Sequence, residues 1–294
     1  MVSERRIGQF QVSPIGFGAM PVSTGPGQGR PVEDPVATVH AALDAGITLI
    51  DTADIYAPSW DQMGHNERIV AEALRRYDGD TNDIVVCTKA GITRAEGERW
   101  GRNGTPDYLR ERAERALEAL EVEQLDLLYL HRPDRSLAYA ESIEGLATLQ
   151  SYGIINEIGI SNASVEEIEV ALDVLGEGGL AAVQNEFSPW FHHTSRQELE
   201  FCGEHGIAFV PYSPVGGMRR ATAPLDEKFR SIHRASEELG ISTHRVILAW
   251  ELSLGDHVIP IPGATRPESI TDSARAMTDE IPEELLAAIN KEVF

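Results

Sequence analysis

Six short apolar runs of this chain each end in a polar side chain. The end residues are Asp51, Lys89, His131, Ser161 with Asn162, Gln184 and Tyr212, and Tyr56 follows Asp51 by five positions. Taken together, these residue types make a proton donor. A phenol ordinarily ionises near ~10. A nearby ammonium stabilises the phenolate and lowers that value, and a carboxylate holds the ammonium charged and in place. Asp51 and Lys89 would act on Tyr56 in this way. His131 would hydrogen-bond a bound carbonyl or help move the proton. A tuned tyrosine is what a ketone needs for protonation as hydride arrives. Any one of these residues alone reads equally well as a helix cap or a rim ion pair. An Asp, a Tyr, a Lys and a His from three successive run ends are harder to explain that way.

The runs that carry them are nearly continuous in apolar character, as expected of parallel strands covered on both faces. There are eight, at residues 15–19, 48–51, 84–89, 125–131, 157–161, 181–184, 208–212 and 258–262. Between them lie helical patterns at residues 35–45, 66–76, 106–120, 141–151, 164–175, 197–205, 244–252 and 267–276. Leu109, Ala113, Ala116, Leu117 and Leu120 show the three-to-four spacing. Thr105-Pro106 and the capping box Ser164-Val165-Glu166-Glu167 mark helix starts. Gly46, Gly153, Gly206 and Gly240 stand where a left-handed cap favours glycine. Eight strand–helix units without a linker predict one (β/α)8 TIM barrel over residues 1–294, with the polar run ends at its catalytic rim. The alternative, a doubly wound open sheet, lacks its G-x-G-x-x-G turn, since Gly16-Phe17-Gly18 is too short. Residues 7–12, around Gly8, predict a β-hairpin at the barrel floor, and residues 282–292 a helix outside it.

The chain of 294 residues carries 25 basic and 47 acidic side chains, a formal net charge of −22. That balance argues against nucleic acid and against an anionic membrane surface as partners. The acidic stretches 111–123 and 157–169 are expected on outer helices, where they serve solubility. Cys87 and Cys202 lie far apart and read as buried reduced thiols. With no secretory signal pattern at residues 1–10 and no run approaching ~20 apolar residues, a soluble cytoplasmic protein is expected.

The run ends also carry a resemblance. Asp51-Thr52-Ala53-Asp54-Ile55-Tyr56, Thr88-Lys89, Leu125 through His131 and Ile158-Gly159-Ile160-Ser161-Asn162 are similar to motifs of the aldo-keto reductase family. Val183-Gln184-Asn185-Glu186 and Pro211-Tyr212-Ser213-Pro214 extend the match, in the family's order, from about Ile7 to the last barrel helix. The resemblance implies a (β/α)8 barrel that reduces aldehydes and ketones with a nicotinamide cofactor, usually NADPH, bound extended. It implies Tyr56 as general acid, Lys89 and Asp51 as its tuning groups, and His131 as the residue that orients the carbonyl. Ser161, Asn162 and Gln184 would meet the nicotinamide carboxamide, and Tyr212 would stack on its ring. Ser213, Pro214, Gly216, Gly217 and Arg220 would lie along the pyrophosphate, with Arg219 beside them. Gly263, Thr265, Arg266 and Asp272 would meet the adenosine end. There the chain departs from the family: Ser269 stands where many members have Arg, and Asp272-Ser273 where many have Glu-Asn. Arg266 is the remaining phosphate partner, so NADPH is expected with NADH possible.

Enlarged loops would rim the substrate side. They carry Met20, Trp60, Trp100 and Trp190, with Arg94, Arg99 and Arg102 in the loop after Lys89. These features favour a larger or anionic small-molecule carbonyl substrate. His192-His193 lacks a converging third ligand, so no metal is expected. A monomer or small homo-oligomer is expected. Two other functions fit the same residues: a Schiff-base aldolase using Lys89, and a cofactor-binding, redox-sensing subunit without physiological turnover.

Overall fold

The structure is a computed structural model that describes residues 4–24, 32–217 and 229–294. The chain opens with a hairpin of β1 (Arg5–Ile7) and β2 (Phe10–Val12), turned at Gly8 with φ +56°. The first barrel strand β3 (Phe17–Gly18) leads to a short helix α1 (Met20–Thr24) and then to α2 (Pro35–Asp44). Next come β4 (Leu49–Asp51), α3 (His65–Arg76) and β5 (Val85–Ala90). A second hairpin, β6 (Ile92–Ala95) and β7 (Arg99–Arg102), interrupts the barrel before α4 (Pro106–Leu120). The order continues β8 (Leu125–Leu130), α5 (Tyr139–Ser151), β9 (Ile155–Ser161), α6 (Val165–Leu175), β10 (Ala182–Gln184), α7 (Arg196–His205) and β11 (Ala208–Phe209). Helices α8 (Arg230–Leu239), α9 (Thr243–Leu252), α10 (Pro267–Arg275) and α11 (Glu283–Val293) complete the described chain.

Seven parallel strands run in the order β3-β4-β5-β8-β9-β10-β11. Residues 258–262 close the ring into a (β/α)8 barrel. On one side Ile259 and Ile261 donate to Phe209 O and Pro211 O; on the other Gly16 and Gly18 donate to Pro260 O and Pro262 O. The two prolines have no N–H to return toward β3, so this eighth segment is bound by only half a ladder on that side.

Strand pleating decides what reaches the rim. Successive side chains alternate between the lumen and the helical shell. Leu49, Cys87, Tyr129, Ala182 and Val210 share the buried lumen cluster. Two positions further along each strand the same face presents Asp51, Lys89, His131, Gln184 and Tyr212. Gly159 belongs to this layer because a Cβ there would sit 2.4 Å from the Tyr129 ring. The other face, including Ile50, Leu128, Ile158 and Val183, packs against Val39, Val70, Leu109, Leu146 and Ile168 of the helices. Each such fully buried aliphatic contributes roughly 1.5–3 kcal/mol.

The hairpin plugs the floor as expected: Ile7 and Val12 join the lumen cluster, and Gln9 N donates to Glu157 Oε1 at 2.9 Å. Ser164 and Glu167 form the expected reciprocal cap on α6. Gly46, Gly153, Gly206 and Gly240 all have positive φ. Cys87 and Cys202 are buried and unpaired. Helix α8, the β6–β7 hairpin and helix α1 went unread in the sequence. Helix α8, which Gly240 terminates, buries only Ile232 and Ala235, too thin an apolar stripe to stand out. The β6–β7 hairpin is exposed along β7 and has no alternation to detect. The third is α1, a helix of five residues. Among the described residues no helix is long and apolar enough to cross a membrane.

Candidate active site

The polar strand ends converge at the bottom of a cleft of about 620 Å³. Lys89 is 1% exposed, and its Nζ donates to Asp51 Oδ1 at 2.6 Å and Thr52 O at 2.8 Å. An ammonium has three donors. The third is left to face Tyr56, whose ring centroid is 5.0 Å from Nζ. Gln184 Nε2 donates to Asp51 Oδ2 at 2.8 Å, so both carboxylate oxygens are held.

Burial pulls the Lys89 ammonium toward neutrality, but Asp51 and Tyr56 outweigh it and hold its pKa above the ordinary value. A lysine held charged is a poor nucleophile, which disfavours Schiff-base chemistry here. For Tyr56 the balance differs from the sequence expectation. Burial is the largest influence and raises the phenol; Lys89 lowers it, Asp51 raises it further, and the net shift is upward. The hydroxyl is therefore kept protonated, the form a proton donor needs. His131 stands edge-on to Tyr56, with centroids 5.8 Å apart. Burial, then Lys89 and Arg132, drives its pKa well below the ordinary imidazole value, so the ring is neutral. Among the described residues its buried Nδ1 has no hydrogen-bond partner. Leaving a lone pair unmatched costs less than burying an unpaired N–H, which assigns the proton to Nε2.

The loop bearing Asp51 and Tyr56 is clamped from behind by the start of α3. Gly64 N donates to Asp54 O at 2.6 Å and Asn66 N to Tyr56 O at 3.1 Å. Thr52 Oγ1 donates to Asn66 Oδ1 at 2.6 Å. Arg112 Nε reaches Asp54 Oδ2 at 2.8 Å, and Thr88 Oγ1 donates to Glu67 Oε1 at 2.5 Å. Burial pushes Asp54 up to about 6 against the pull of Arg112, and burial together with Asp54 pushes Glu67 up to about 7. A carboxyl raised on folding stabilises the fold fully below its unfolded pKa, and that contribution is lost as pH climbs through the folded value. Wild-type stability therefore falls between about pH 4.5 and 7 through Glu67. Glu67→Gln keeps an acceptor for Thr88 and stays neutral. It should flatten this decline by up to about 3 kcal/mol between acidic and neutral pH. Urea unfolding at pH 5 and pH 8 reads the difference; equal pH slopes in both proteins would refute it.

The next rim residues form one chain of bonds. Tyr212 OH donates to Asn162 Oδ1 at 2.8 Å, and Asn162 Nδ2 donates to Ser161 Oγ at 2.9 Å and His131 O at 3.1 Å. Ser161 Oγ donates to Gln184 O at 2.7 Å. Asn162 and Ser213 both take positive φ, +58° and +56°. Such backbone positions in non-glycine residues gather at functional sites. Ser213, Pro214, Val215 and Gly217 line the cleft, and Gly216 N closes a turn onto Ser213 O at 2.8 Å. Farther along stand Gly263, Thr265, Arg266, Ser269, Asp272 and Ser273. Asp272 accepts from Ser242 Oγ at 2.6 Å and so also ties α10 to the start of α9. Arg220 and its neighbour Arg219 lie outside the described residues.

On the substrate side, Met20 lines the cleft with Pro21, Ile55 and Ile92, whereas Trp60, Trp100 and Trp190 do not. Trp60 sits on an exposed turn whose backbone N–H is held by Glu98. Trp100 covers the Arg94 guanidinium, 4.6 Å from its ring centroid. That guanidinium donates to Ile55 O at 3.0 Å and Ala57 O at 2.8 Å, pinning the β6–β7 hairpin onto the Tyr56 loop. Trp190 packs edge-on against Phe229, 5.1 Å away. The reading of the sequence passed over Arg132 and His244, which both line the cleft. For Arg132 a signal existed: it is a charged residue directly beyond a polar strand end.

A buried ion pair, a protonated phenol and a neutral imidazole at the bottom of a long cleft can deliver one proton to an oxygen held between Tyr56 and His131. Comparison with known proteins agrees with this barrel fold. The sequence profile of the Aldo/keto reductase family matches residues 14–292. A probable aldo-keto reductase of Glycine max is 30% identical over 95% of this chain and 85% of its own length. An uncharacterised oxidoreductase of Schizosaccharomyces pombe is 29% identical over 98% of this chain and 89% of its own. The glycerol dehydrogenase of Gluconobacter oxydans superposes with a TM-score of 0.83 at 26% identity, covering 99% of this chain and 94% of that one. An aldo/keto reductase of Klebsiella pneumoniae in complex with NADP and acetate gives a TM-score of 0.79 at 25% identity, over 99% of this chain and 95% of that one. The chain belongs to the aldo/keto reductase family.

Proposed function

We propose that this protein is a carbonyl reductase that takes hydride from NADPH, with Tyr56 as the proton donor. The observation that carries this reading is the sealed Asp51–Lys89 pair directed at the Tyr56 phenol at the cleft floor. A substrate C=O would lie with its oxygen toward Tyr56 OH and His131 Nε2. His131, neutral and ordered, orients the oxygen without competing as an acid. As negative charge develops on that oxygen, Tyr56 gives up its proton, and Lys89 stabilises the phenolate left behind. Asp51 keeps Lys89 charged and, through Gln184, fixed in place.

The cleft fits an extended dinucleotide. It runs from Tyr56 and Tyr212, past the turn at residues 213–217, to Arg266 on the far rim. Tyr212 offers a ring for stacking, held upright by Asn162. Ser161, Asn162 and Gln184 are placed for the carboxamide, although their present hydrogen bonds would rearrange to receive it. The backbone of residues 213–217 suits a pyrophosphate, and Arg266 a 2′-phosphate. When bound, the nicotinamide supplies the hydride. A relative in complex with NADP supports this assignment.

The test is loss of reduced-cofactor absorbance with a panel of aromatic and aliphatic aldehydes and ketones. NADPH should give a kcat/KM about tenfold or more above NADH, the amount one charge-assisted Arg–phosphate contact supplies. Absence of turnover with either cofactor across the panel overturns the reading; a tenfold preference for NADH overturns the role of Arg266.

A further inference from the structure

The rim arginines of the β6–β7 hairpin are all occupied away from the cleft. Arg94 holds the carbonyls of Ile55 and Ala57 and pairs with Glu98; Arg99 donates to Glu96 O; Arg102 donates to Pro133 O. Two other guanidinium groups line the cleft, Arg132 and Arg266, and among the described residues neither has a carboxylate within 4.0 Å. Arg132 follows the fourth barrel strand and Arg266 the segment that closes the ring as the eighth. Four positions apart in a ring of eight, they stand on opposite sides of the opening. Arg266 and the glycine turn after the seventh strand share the side given to the cofactor phosphates. Arg132 stands on the other side, next to His131, where the substrate carbonyl is oriented.

The charges around Arg132 leave it uncompensated. Lys89 is matched by Asp51, and His131 is neutral. Arg132 and Tyr212 line the same cleft, and Arg132 and Glu186 act on the Tyr212 phenol with opposite signs. Arg132 is half-buried with no carboxylate paired to it among the described residues, and a charge drawn from water without a partner carries a desolvation cost. An anionic ligand would offset it, and the planar guanidinium fork binds carboxylate or phosphate through two parallel hydrogen bonds.

We propose that Arg132 is a specificity-determining residue of the substrate site, and that the preferred substrates are carbonyl compounds bearing a carboxylate or phosphate a few bonds from the C=O. This rests on the reductase reading. His131 and Tyr56 hold the carbonyl oxygen while Arg132, adjacent in sequence to His131, holds the anion, so one strand end sets both the distance and the orientation between them.

The experiment compares matched substrates that differ in charge: 4-carboxybenzaldehyde against methyl 4-formylbenzoate, and glyceraldehyde 3-phosphate against glyceraldehyde. The wild-type enzyme should prefer at least one anion over its neutral partner by about tenfold or more in kcat/KM, and raised salt should erode that preference. The two pairs distinguish a carboxylate site from a phosphate site. In Arg132→Met the preference should vanish, mainly through KM, with the neutral partner falling less than about threefold. Arg132→Lys should recover part of it, because a point charge remains without the fork. Equal turnover of anion and neutral partner by the wild type overturns the inference and leaves the reductase reading standing. So does an Arg132→Met enzyme that loses both partners equally, or that loses cofactor affinity by fluorescence titration. If none of the four compounds is turned over while other carbonyls of the panel are, the inference falls alone; if nothing in the panel is turned over, both fall.

Discussion

Replacing Tyr56 by Phe should lower kcat for carbonyl reduction by about 10²–10⁴-fold, the range a positioned general acid contributes. Cofactor affinity should stay within about threefold, because the proposed cofactor contacts begin at Ser161 and Tyr212 instead. The ring itself has packing duties that Phe preserves: it meets the edge of His131 and lies 5.0 Å from Lys89 Nζ. Only the hydroxyl is lost, so the variant should fold with its lumen intact. The loss should appear in kcat rather than in substrate KM, because the proton moves only in the transition state. A second readout follows from the upward shift of the phenol. Reduction needs the protonated form, and a raised pKa moves its loss to higher pH. The alkaline fall in wild-type kcat/KM should therefore lie above the ordinary phenol value of ~10. Full turnover by the Phe variant, or a fall centred near pH 7, removes Tyr56 as the acid.

The catalytic set was legible because strand pleating leaves a trace in sequence. Leu49 and Asp51, Cys87 and Lys89, and Tyr129 and His131 are each two apart, so an apolar run ending in a polar residue of the same parity points that residue into the lumen. The eight runs and the glycine caps followed from local rules of the same kind. Side-chain partners across the barrel did not. The net upward shift of Tyr56 depends on how deeply the ring is buried, which spacing does not encode; the sequence shows Lys89 nearby but not the burial that outweighs it. The rim aromatics misled for a related reason. Trp100 is drawn onto Arg94, its partner across the hairpin, and Arg94 onto the carbonyls of Ile55 and Ala57, about 40 residues away in the chain. Composition marks a loop tryptophan but not which neighbour takes its face. Arg132 was overlooked because one charged residue after a strand resembles any solvated loop residue until the cleft wall is drawn.

Replacing Lys89 by Met should reduce both stability and turnover, and the two losses can be separated. Met fills most of the volume of the aliphatic stem but leaves Asp51, 3% exposed, without its cation. Removing one partner of a buried pair costs about 3–5 kcal/mol, since the other charge stays desolvated. Asp51 is already pushed upward by burial, with Lys89 the main opposing influence. Without Lys89 it should take up a proton on folding. The sign then runs against most acid-sensitive proteins: the stability lost at neutral pH is restored as pH falls toward the unfolded carboxyl value of ~3.9. Asp51→Asn combined with Lys89→Met removes the stranded charge, and an amide oxygen remains to accept from Gln184. The double variant should regain most of the stability by urea unfolding at pH 8. It should not regain turnover, because the phenolate formed at Tyr56 still lacks its ammonium; kcat should stay at least about 10²-fold below wild type. A Lys89→Met enzyme as stable at pH 8 as the wild type contradicts the buried pair. A double variant that recovers stability and kcat together makes Lys89 a structural counterion to Asp51 and leaves the phenol without the partner proposed for it.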